Sequence, residues 1–355
     1  NKRPIINVKM TFNAEADGET VLLFEDNAWG QDSLYNGILR MKLLTIEGSI
    51  TKQPDSGWIV IKHPKNIKTI EFEYVLSQVK QGDVKTEDVY KPIIQPDYFQ
   101  VFSHNLFMLP QSYANTPEAT FDVNLNWEYF PEGFNLQNSF GSNEYNQNII
   151  NTSENEFHSA VFVGGDLRIH TIDVNSNKVD FAIRGDWEVF NDSIMVDILE
   201  NTISVQRDFW QDHSQNYFSV TMIPTVLERG SSFHGTGLTN SFATAASNNK
   251  DLEVEGLVYL FNHELQHNWT GLTIKNDNEE EQYWFSEGFT DYYTIKNIAK
   301  HNIYNLDESY FIKELNGFIR ALYSSPVKEA PNSEINYENF WSNRDYEKLP
   351  YRRGA

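Results

Sequence analysis

Two histidines four positions apart have the spacing to bind one metal ion. His263 and His267 lie in the mostly apolar segment 257–267, which predicts a buried helix. At 3.6 residues per turn, positions four apart lie about 40° apart on one helix face, so both imidazoles can reach the same ion. Glu264 projects beside them and can contact a water on that ion without being a ligand, as a general base must.

A third ligand is expected in the segment 283–293. Catalytic zinc usually has three protein ligands and keeps one position for water. The chain has no cysteine, so the ligands must be histidines or carboxylates. Glu287 lies on a second predicted helix able to pack against the first, and we predict that it completes the set for one Zn²⁺ ion. Asp291 lies four residues later on the same face, where it can accept a proton from a ligand imidazole and fix its tautomer.

Other interpretations of this pattern stay open. The His-Glu-x-x-His spacing also occurs on ordinary amphipathic helices, where both histidines would be hydrogen-bonded in a core. A structural metal is a further alternative, but three ligands beside an uncommitted Glu264 favour an open site. The remaining histidines lack comparable neighbours and are interpreted as structural or solvent-facing: His63, His104, His158, His170, His213, His234 and His301.

The elements that would position these residues follow from hydrophobic periodicity. Segments 70–74 and 121–127 alternate apolar and polar residues, which predicts half-buried strands. Segments rich in Pro, Gly and Asp predict the turns between strands: 54–57, 81–83 and 131–133. We therefore predict an antiparallel β-rich N-terminal domain over residues 1–170.

The periodicity changes after Gly185. Asp192 is a good N-cap for a helix reaching residue 209, and a strand is predicted over 217–223. Further helices are predicted near 253–269, 284–300 and 307–323, the last with Asp307 as its cap. The predicted fold is thus multidomain, with β structure followed by an α+β domain over residues 171–355.

Composition restricts the classes of partner. The 355 residues include 28 Lys and Arg against 50 Asp and Glu, and the net charge of -22 would repel phosphate backbones. Nucleic acid is therefore not an expected partner. No segment of about 18 apolar residues predicts a membrane span. The absence of an initiator Met and of cysteine favours an exported or periplasmic protein over a cytoplasmic one.

Two short sequence motifs resemble those of a known family. Residues 263–269 read His-Glu-Leu-Gln-His-Asn-Trp, and residues 284–293 read Trp-Phe-Ser-Glu-Gly-Phe-Thr-Asp-Tyr-Tyr. They resemble the gluzincin metallopeptidases and, within them, the glycyl aminopeptidases, cousins of the alanyl aminopeptidases. The second motif is closer to the form found in the glycyl branch, whereas the number of residues between the two motifs is nearer to that of the alanyl aminopeptidases. The resemblance implies a thermolysin-like zinc metallopeptidase domain with peptide or protein substrates.

A third match lies at the end of the chain. Residues 350–355 read Pro-Tyr-Arg-Arg-Gly-Ala, similar to the Pro-Tyr-x-Lys-Gly-Ala segment of these enzymes. In the family this tyrosine donates a hydrogen bond to the oxyanion of the tetrahedral intermediate, so the resemblance implies a catalytic role for Tyr351. The alternative is an ordinary aromatic residue among 18 tyrosines. Because the family continues into more helices, we expect the catalytic domain to be truncated at its C-terminus.

The resemblance extends to the strand that lines the family's substrate cleft. The family carries Gly-Gly-Leu-Glu-His there, and segment 235–241 stands in its place. The implied substrate contacts are Gly237, Leu238 and Thr239. The family's glutamate binds the substrate's free amino group, and Thr239 cannot pair with a cation. Glu228 or Glu255 would have to supply that charge. The glycines fit either a turn or close approach of a substrate backbone.

The sequence leaves a preferred function and two alternatives. The preferred function is an aminopeptidase-like zinc metallopeptidase. An endopeptidase of the same clan is the first alternative, and Thr239 favours it. The second is a non-catalytic module that uses the β domain to bind polypeptides.

Overall fold

The computed structural model describes residues 3–53, 57–80, 82–114 and 119–355. The predicted turns at 54–57 and 81–83 fall partly outside these ranges. The third, at 131–133, is present, since the amide of Phe134 donates to the carbonyl of Pro131 and Gly133 has a positive φ of 82°. The chain divides into two compact units, Asn1–Ile169 and His170–Ala355.

The first unit consists mainly of antiparallel strands. They are β1 (Ile6–Asn13), β2 (Glu19–Leu23), β3 (Ile38–Leu43), β4 (Ser49–Lys52), β5 (Ile59–Lys62), β6 (Thr69–Leu76), β7 (Ile93–Ile94), β8 (Tyr98–Phe102), β9 (Leu109–Pro110), β10 (Thr120–Asn126), β11 (Asn135–Asn138), β12 (Gly141–Ser142), β13 (Asn146–Ser153) and β14 (Val161–Gly165). In the described part of this unit, three short α-helices accompany them: α1 (Ser103–Leu106), α2 (Gln111–Ala114) and α3 (Glu154–His158). The sheet orders are β1-β6-β3, β4-β5-β2-β9, β12-β11-β14-β8-β7 and β10-β13.

Strand β6 shows why alternation produces a sheet here. Its apolar residues Ile70, Phe72 and Tyr74 are fully buried, and its two edges pair with β1 and β3. Alternate residues point to opposite faces of a strand, so one face of β6 can be wholly apolar. Strand β10 alternates over the other predicted segment, but its apolar face is only half-buried.

Three histidines are buried in the first unit: His63, His104 and His158. The side chain of His104 packs against the rings of Trp29 and Phe102, with ring centroids 4.2 and 6.0 Å away. Burial lowers the pKa of His104 to about 3, the charge of His158 acts in the same direction, and a backbone hydrogen bond with His158 opposes them. Burial likewise lowers the pKa of His158 to about 4. Both imidazoles are therefore neutral in the folded unit at physiological pH.

We expect acidification from pH 7 to pH 5 to destabilise this unit by about 2 kcal/mol for each of these histidines. Unfolded histidine has a pKa of about 6.5 and takes up a proton in this range, whereas His104 and His158 do not while folded; each pKa unit corresponds to about 1.4 kcal/mol. The loss begins below about pH 6.5 and is complete only below the folded pKa values, about 3 and 4.

Hydrogen exchange resolved to peptides of α1 and α3, corrected for intrinsic rates, measures this loss. His104→Gln should weaken the pH dependence, while His213→Gln, at an exposed position of the second unit, should leave it intact. Equal protection of these peptides at pH 7 and pH 5 would contradict the prediction.

The second unit contains one five-stranded sheet and the longer helices. The strands are β15 (Arg168–Val174), β16 (Asn177–Ile183), β17 (Tyr217–Thr225), β18 (Phe233–Leu238) and β19 (Ser241–Ser247), in the order β15-β16-β17-β19-β18. The helices are α4 (Asp192–Trp210), α5 (Val254–Gln266), α6 (Tyr283–Ser286), α7 (Gly288–His301), α8 (Glu308–Ser324), α9 (Tyr337–Ser342) and α10 (Arg344–Gly354). Strands β16, β17 and β19 are parallel neighbours, whereas the edge strand β18 runs antiparallel to β19.

Helix α5 lies in the core of this unit. Leu257, Phe261 and Leu265 are fully buried on it, and the Phe261 ring contacts the rings of Phe181 on β16 and Phe242 on β19. The apolar residues of 257–267 therefore fix the helix against the sheet. None of the helices in the described ranges is long and apolar enough to cross a membrane.

Three predicted helices differ from the structure, and the one predicted near 253–269 ends at Gln266. The N-cap of α4 is Asn191, whose side chain accepts a hydrogen bond from the amide of Ile194, and Asp192 is the first helical residue. Asn191 has the extended backbone of a cap, while the Asp192 carboxylate pairs with His170 at 2.8 Å. The helix predicted over 284–300 consists of α6 and α7, which meet at Glu287.

Candidate metal centre

The two histidines of α5 direct their rings to one point. His263 lies in the last turn of the helix, and His267, although it follows the last helical residue, keeps helical backbone angles of -61° and -19°. Their Nε2 atoms are 3.1 Å apart, and both side chains are mostly buried. The helical spacing thus brings two imidazole nitrogens to one location.

The outer nitrogens of the two rings determine which tautomer faces this point. His263 Nδ1 lies 2.9 Å from Asp291 Oδ1, and His267 Nδ1 lies 3.1 Å from the carbonyl oxygen of Thr270. These oxygens accept hydrogen bonds, so each Nδ1 carries a proton and each Nε2 is the nitrogen that faces the common point. At 3.1 Å the two Nε2 atoms are close enough to share a cation, either a proton or a metal ion.

Glu287 adds a carboxylate oxygen to the pair. Its Oε2 lies 3.4 Å from His263 Nε2 and 3.7 Å from His267 Nε2. Zinc bonds of about 2.0–2.1 Å in a tetrahedron place ligand atoms about 3.3 Å apart, close to these separations. Within the described ranges, these three side chains form the one group of potential ligands whose atoms lie within 4.8 Å of one another. The donor set and its spacing fit Zn²⁺.

Electrostatics keep Glu287 anionic. Burial acts to raise the pKa of Glu287, but the charge of His267 and hydrogen bonds from His263 and Tyr351 outweigh it and lower the pKa to about 2. Burial acts to lower the pKa of His263, yet hydrogen bonds to Asp291 and Glu287 raise it well above its usual value. The carboxylates therefore stabilise positive charge at the point where the ligand atoms meet.

Glu264 is buried beside the ligands and is held by the edge strand. It is 6% exposed, and the amide of Gly237 on β18 donates a hydrogen bond to its carboxylate. Burial raises the pKa of Glu264, which suits a group that accepts a proton and returns it. Glu264 is placed next to the metal ligands without belonging to them.

Two glycines allow β18 to lie this close to α5. A Cβ on Gly235 would lie 2.5 Å from Glu264 Oε1, and a Cβ on Gly237 would lie 2.9 Å from the Cβ of His267. Both distances are shorter than ordinary van der Waals contact. The glycines thus lie in a strand rather than a turn, and α5 makes the close approach to them.

The other residues expected at the substrate cleft lie at the end of β18. Leu238 is 1% exposed, so its side chain is not accessible to a ligand. Thr239 follows in the turn to β19, and its carbonyl accepts a hydrogen bond from Ser241 Oγ. Glu228 is exposed in the loop between β17 and β18. Glu255 pairs with Lys313, and its position two helical turns before His263 places it about 12 Å away along α5.

Asp291 is shared by two residues of α5. It is 2% exposed, and it accepts hydrogen bonds from the hydroxyl of Tyr259 and from His263 Nδ1. The Tyr259 ring stacks on the His263 ring with centroids 5.8 Å apart. Sequence reasoning missed Tyr259, although its position four residues before His263 on one helix face was a usable signal.

Asp291→Asn should lower the affinity for Zn²⁺ about 10–100-fold, because the amide no longer supplies the charge that orients and polarises His263. Competition with a chromophoric chelator measures this affinity. Asp180→Asn is a matched control, since Asp180 is also fully buried in this unit but pairs with Lys178. Wild-type zinc affinity in Asp291→Asn would contradict the role of Asp291.

Helix α10 brings Tyr351 to the same centre. The Tyr351 ring lies nearly parallel to the His263 ring, with centroids 6.3 Å apart, and its hydroxyl donates a hydrogen bond to the Glu287 carboxylate. Burial and the charge of Glu287 raise the pKa of Tyr351 well above its usual value. The hydroxyl therefore stays protonated and can act as a hydrogen-bond donor.

Comparison with known proteins identifies the fold. No protein-family model matches the chain, and no curated protein matches its sequence. The crystal structure of an aminopeptidase N family protein from Idiomarina loihiensis matches with a TM-score of 0.74 and 16% identity, over 99% of this chain and 62% of that chain. The M1 zinc metallopeptidase from Deinococcus radiodurans matches with a TM-score of 0.54 and 12% identity, over 99% of this chain and 77% of that one.

These matches confirm the predicted order of a β-rich N-terminal part and a largely helical C-terminal part. At such low identity the likeness concerns the fold. The chain spans 62% of the length of the Idiomarina loihiensis protein. Both matched proteins are named as members of aminopeptidase or zinc metallopeptidase families, in keeping with the gluzincin resemblance of the motifs.

Proposed function

We propose that this chain contains a zinc metallopeptidase domain that hydrolyses peptide bonds in an aminopeptidase-like manner. The convergence of His263, His267 and Glu287 around one point, with Glu264 beside them, carries this proposal. The likeness to an aminopeptidase N family protein and to a zinc metallopeptidase supports it. We assign the centre to a thermolysin-like domain over residues 171–355 of the glycyl or alanyl aminopeptidase type.

The three ligands would hold one Zn²⁺, which when bound lowers the pKa of water and polarises a peptide carbonyl. Glu264 accepts the proton of the attacking water and then returns it to the leaving amine. The amide of Gly237 holds the Glu264 carboxylate in place for both transfers. Tyr351 donates its hydroxyl proton in a hydrogen bond to the oxyanion, for which its raised pKa is suited.

The substrate backbone is proposed to lie along β18. An extended peptide can add to the edge of a sheet through main-chain hydrogen bonds, and β18 is the edge strand next to β19. Gly237 and Thr239 would contribute backbone groups, whereas Leu238, at 1% exposure, is covered by the protein itself.

An endopeptidase is the second candidate, and the surroundings of Thr239 favour it. In a substrate of an aminopeptidase, the free amino group and the carbonyl of the cleaved bond belong to the first residue and lie within about 4 Å of each other. Glu255 lies about 12 Å along α5 from His263 and is therefore too distant to bind that amine. Matched peptides with free and acetylated N-termini separate the two functions. An aminopeptidase should lose at least about 100-fold in kcat/KM on the acetylated peptide, whereas an endopeptidase should cleave both.

Metal analysis combined with a peptide library tests the proposal as a whole. We expect one zinc per chain, release of N-terminal residues detected by mass spectrometry, loss of activity with a chelator and its recovery with added Zn²⁺. Zinc binding without cleavage of any peptide would favour a polypeptide-binding module. A protein that binds no zinc would refute both the metal centre and the peptidase function.

A further inference from the structure

Helix α10 meets the junction of α6 and α7 through two glycines. A Cβ on Gly288 would lie 2.3 Å from the Cα of Gly354, and a Cβ on Gly354 would lie 1.8 Å from the carbonyl oxygen of Trp284. Ordinary van der Waals contact of a Cβ begins at 3.4 Å. Only hydrogen atoms fit between the two backbones, so neither position accepts a side chain without a shift of the helix.

The two glycines flank residues of the metal centre. Gly288 directly follows the ligand Glu287, and Gly354 lies three residues after Tyr351, about one turn along α10. The Tyr351 hydroxyl donates to the Glu287 carboxylate. The contact between the glycines and the hydrogen bond from Tyr351 therefore join the same two segments. The glycine contact sets the distance between the segments, and this distance determines whether the Tyr351 hydroxyl can reach Glu287.

The other side of α10 is also fixed. The Arg353 guanidinium donates to Asn332 Oδ1 at 2.6 Å, and the fully buried Leu349 packs in a cluster with Phe340. These contacts tie several residues of α10 to their neighbours. A methyl group inserted at the glycine contact therefore shifts the whole helix and not a single residue of it. Tyr351 moves with it.

We propose that the absence of side chains at Gly288 and Gly354 lets α10 pack close enough to place Tyr351 over the metal ligands. We call this pair of glycines the spacer. Both are positioning residues, since neither has a side chain that could touch the reacting atoms and both set the place of Tyr351. The kinetic consequence rests on the proposed peptidase function, whereas the displacement of Tyr351 does not.

Gly354→Ala tests the kinetic consequence. The added methyl requires a retreat of about 1 Å or more, and such a misplacement can lower a rate up to about 100-fold. We expect kcat to fall about 10–100-fold and KM to change less than about twofold. In a Tyr351→Phe background the same substitution should change kcat less than about threefold, because the displaced group is already absent. Gly317→Ala in α8 is the matched control, since nothing lies within 4 Å of its Cβ position.

A spectroscopic readout on metal-free protein tests the displacement without any hydrolysis. The protein is labelled with fluorotyrosine, and the Tyr351 fluorine resonance is assigned by its loss in Tyr351→Phe. The resonance should shift in Gly354→Ala and in Gly288→Ala but not in Gly317→Ala. Hydrogen exchange over Arg344–Gly354 shows whether α10 remains folded. A shift with retained protection supports the inference, and a shift found only together with loss of protection overturns it.

An unshifted Tyr351 resonance in both glycine variants would overturn the inference. If the resonance shifts while the zinc-loaded wild-type protein hydrolyses no peptide, the spacer stands and the peptidase function fails. If the wild-type protein is active and both glycine variants keep its kcat, the spacer is refuted and the function stands.

Discussion

Glu264→Gln should abolish peptide hydrolysis while the protein still binds one zinc. The carboxylate is the only group assigned to both proton transfers, and loss of general acid–base catalysis lowers rates about 10²–10⁴-fold. Since Glu264 serves as base and acid in turn, we expect kcat to fall by at least about 10³-fold. Glutamine has the same shape, and its amide oxygen can still accept the hydrogen bond from the Gly237 amide.

Zinc affinity separates this effect from damage to the site. Glu264 is not one of the three ligands, so the zinc content and the zinc affinity of Glu264→Gln should equal those of the wild type. Glu200→Gln, at an exposed position of α4, is the control for loss of one negative charge in the same unit. Substantial hydrolysis by zinc-loaded Glu264→Gln would remove Glu264 from the mechanism.

Tyr351→Phe should lower kcat about 10²–10³-fold with little change in KM. The phenol is placed to donate a hydrogen bond to charge that develops in the transition state, and removal of one such donor has an effect of this size. The ring remains and can still pack near His263, so binding of zinc and of the ground-state substrate should persist.

Steady-state kinetics with a peptide substrate measure this effect. Affinity for a phosphonate peptide, whose tetrahedral oxyanion resembles the transition state, should fall by a similar factor. Tyr346→Phe is the control on the same helix, because its hydroxyl binds Glu334 at the surface. If Tyr351→Phe raised KM and left kcat unchanged, Tyr351 would be a substrate-binding residue instead.

Sequence reasoning worked best where local periodicity decides the structure. The spacing of His263 and His267 determines that they share a helix face, and the apolar residues around them determine that the helix is buried. Alternation in the first unit likewise predicted two of its strands, β6 and β10. Local patterns contain this information because helix and strand periods are properties of the backbone itself.

Contacts between distant segments were not accessible in the same way. The glycines of β18 gave a turn or a substrate contact as alternatives, and the actual neighbours, Glu264 and His267, depend on the position of β18 beside α5. The hydrogen bond from Tyr259 to Asp291 requires the crossing of α5 and α7 to be known. The Gly288–Gly354 contact similarly joins two segments whose packing no local pattern specifies.

The position of Tyr351 in the chain has a consequence for synthesis. The three ligands and Glu264 all lie between residues 263 and 287, whereas Tyr351 follows roughly 60 residues later, which corresponds to about 3–12 s of translation at 5–20 residues per second. On the proposed function, the ligand set of a nascent chain is complete before α10 has been made. Until α10 docks, such a chain would hold the metal without its proposed oxyanion donor, so newly made protein would pass through a metal-loaded but hydrolytically weak stage.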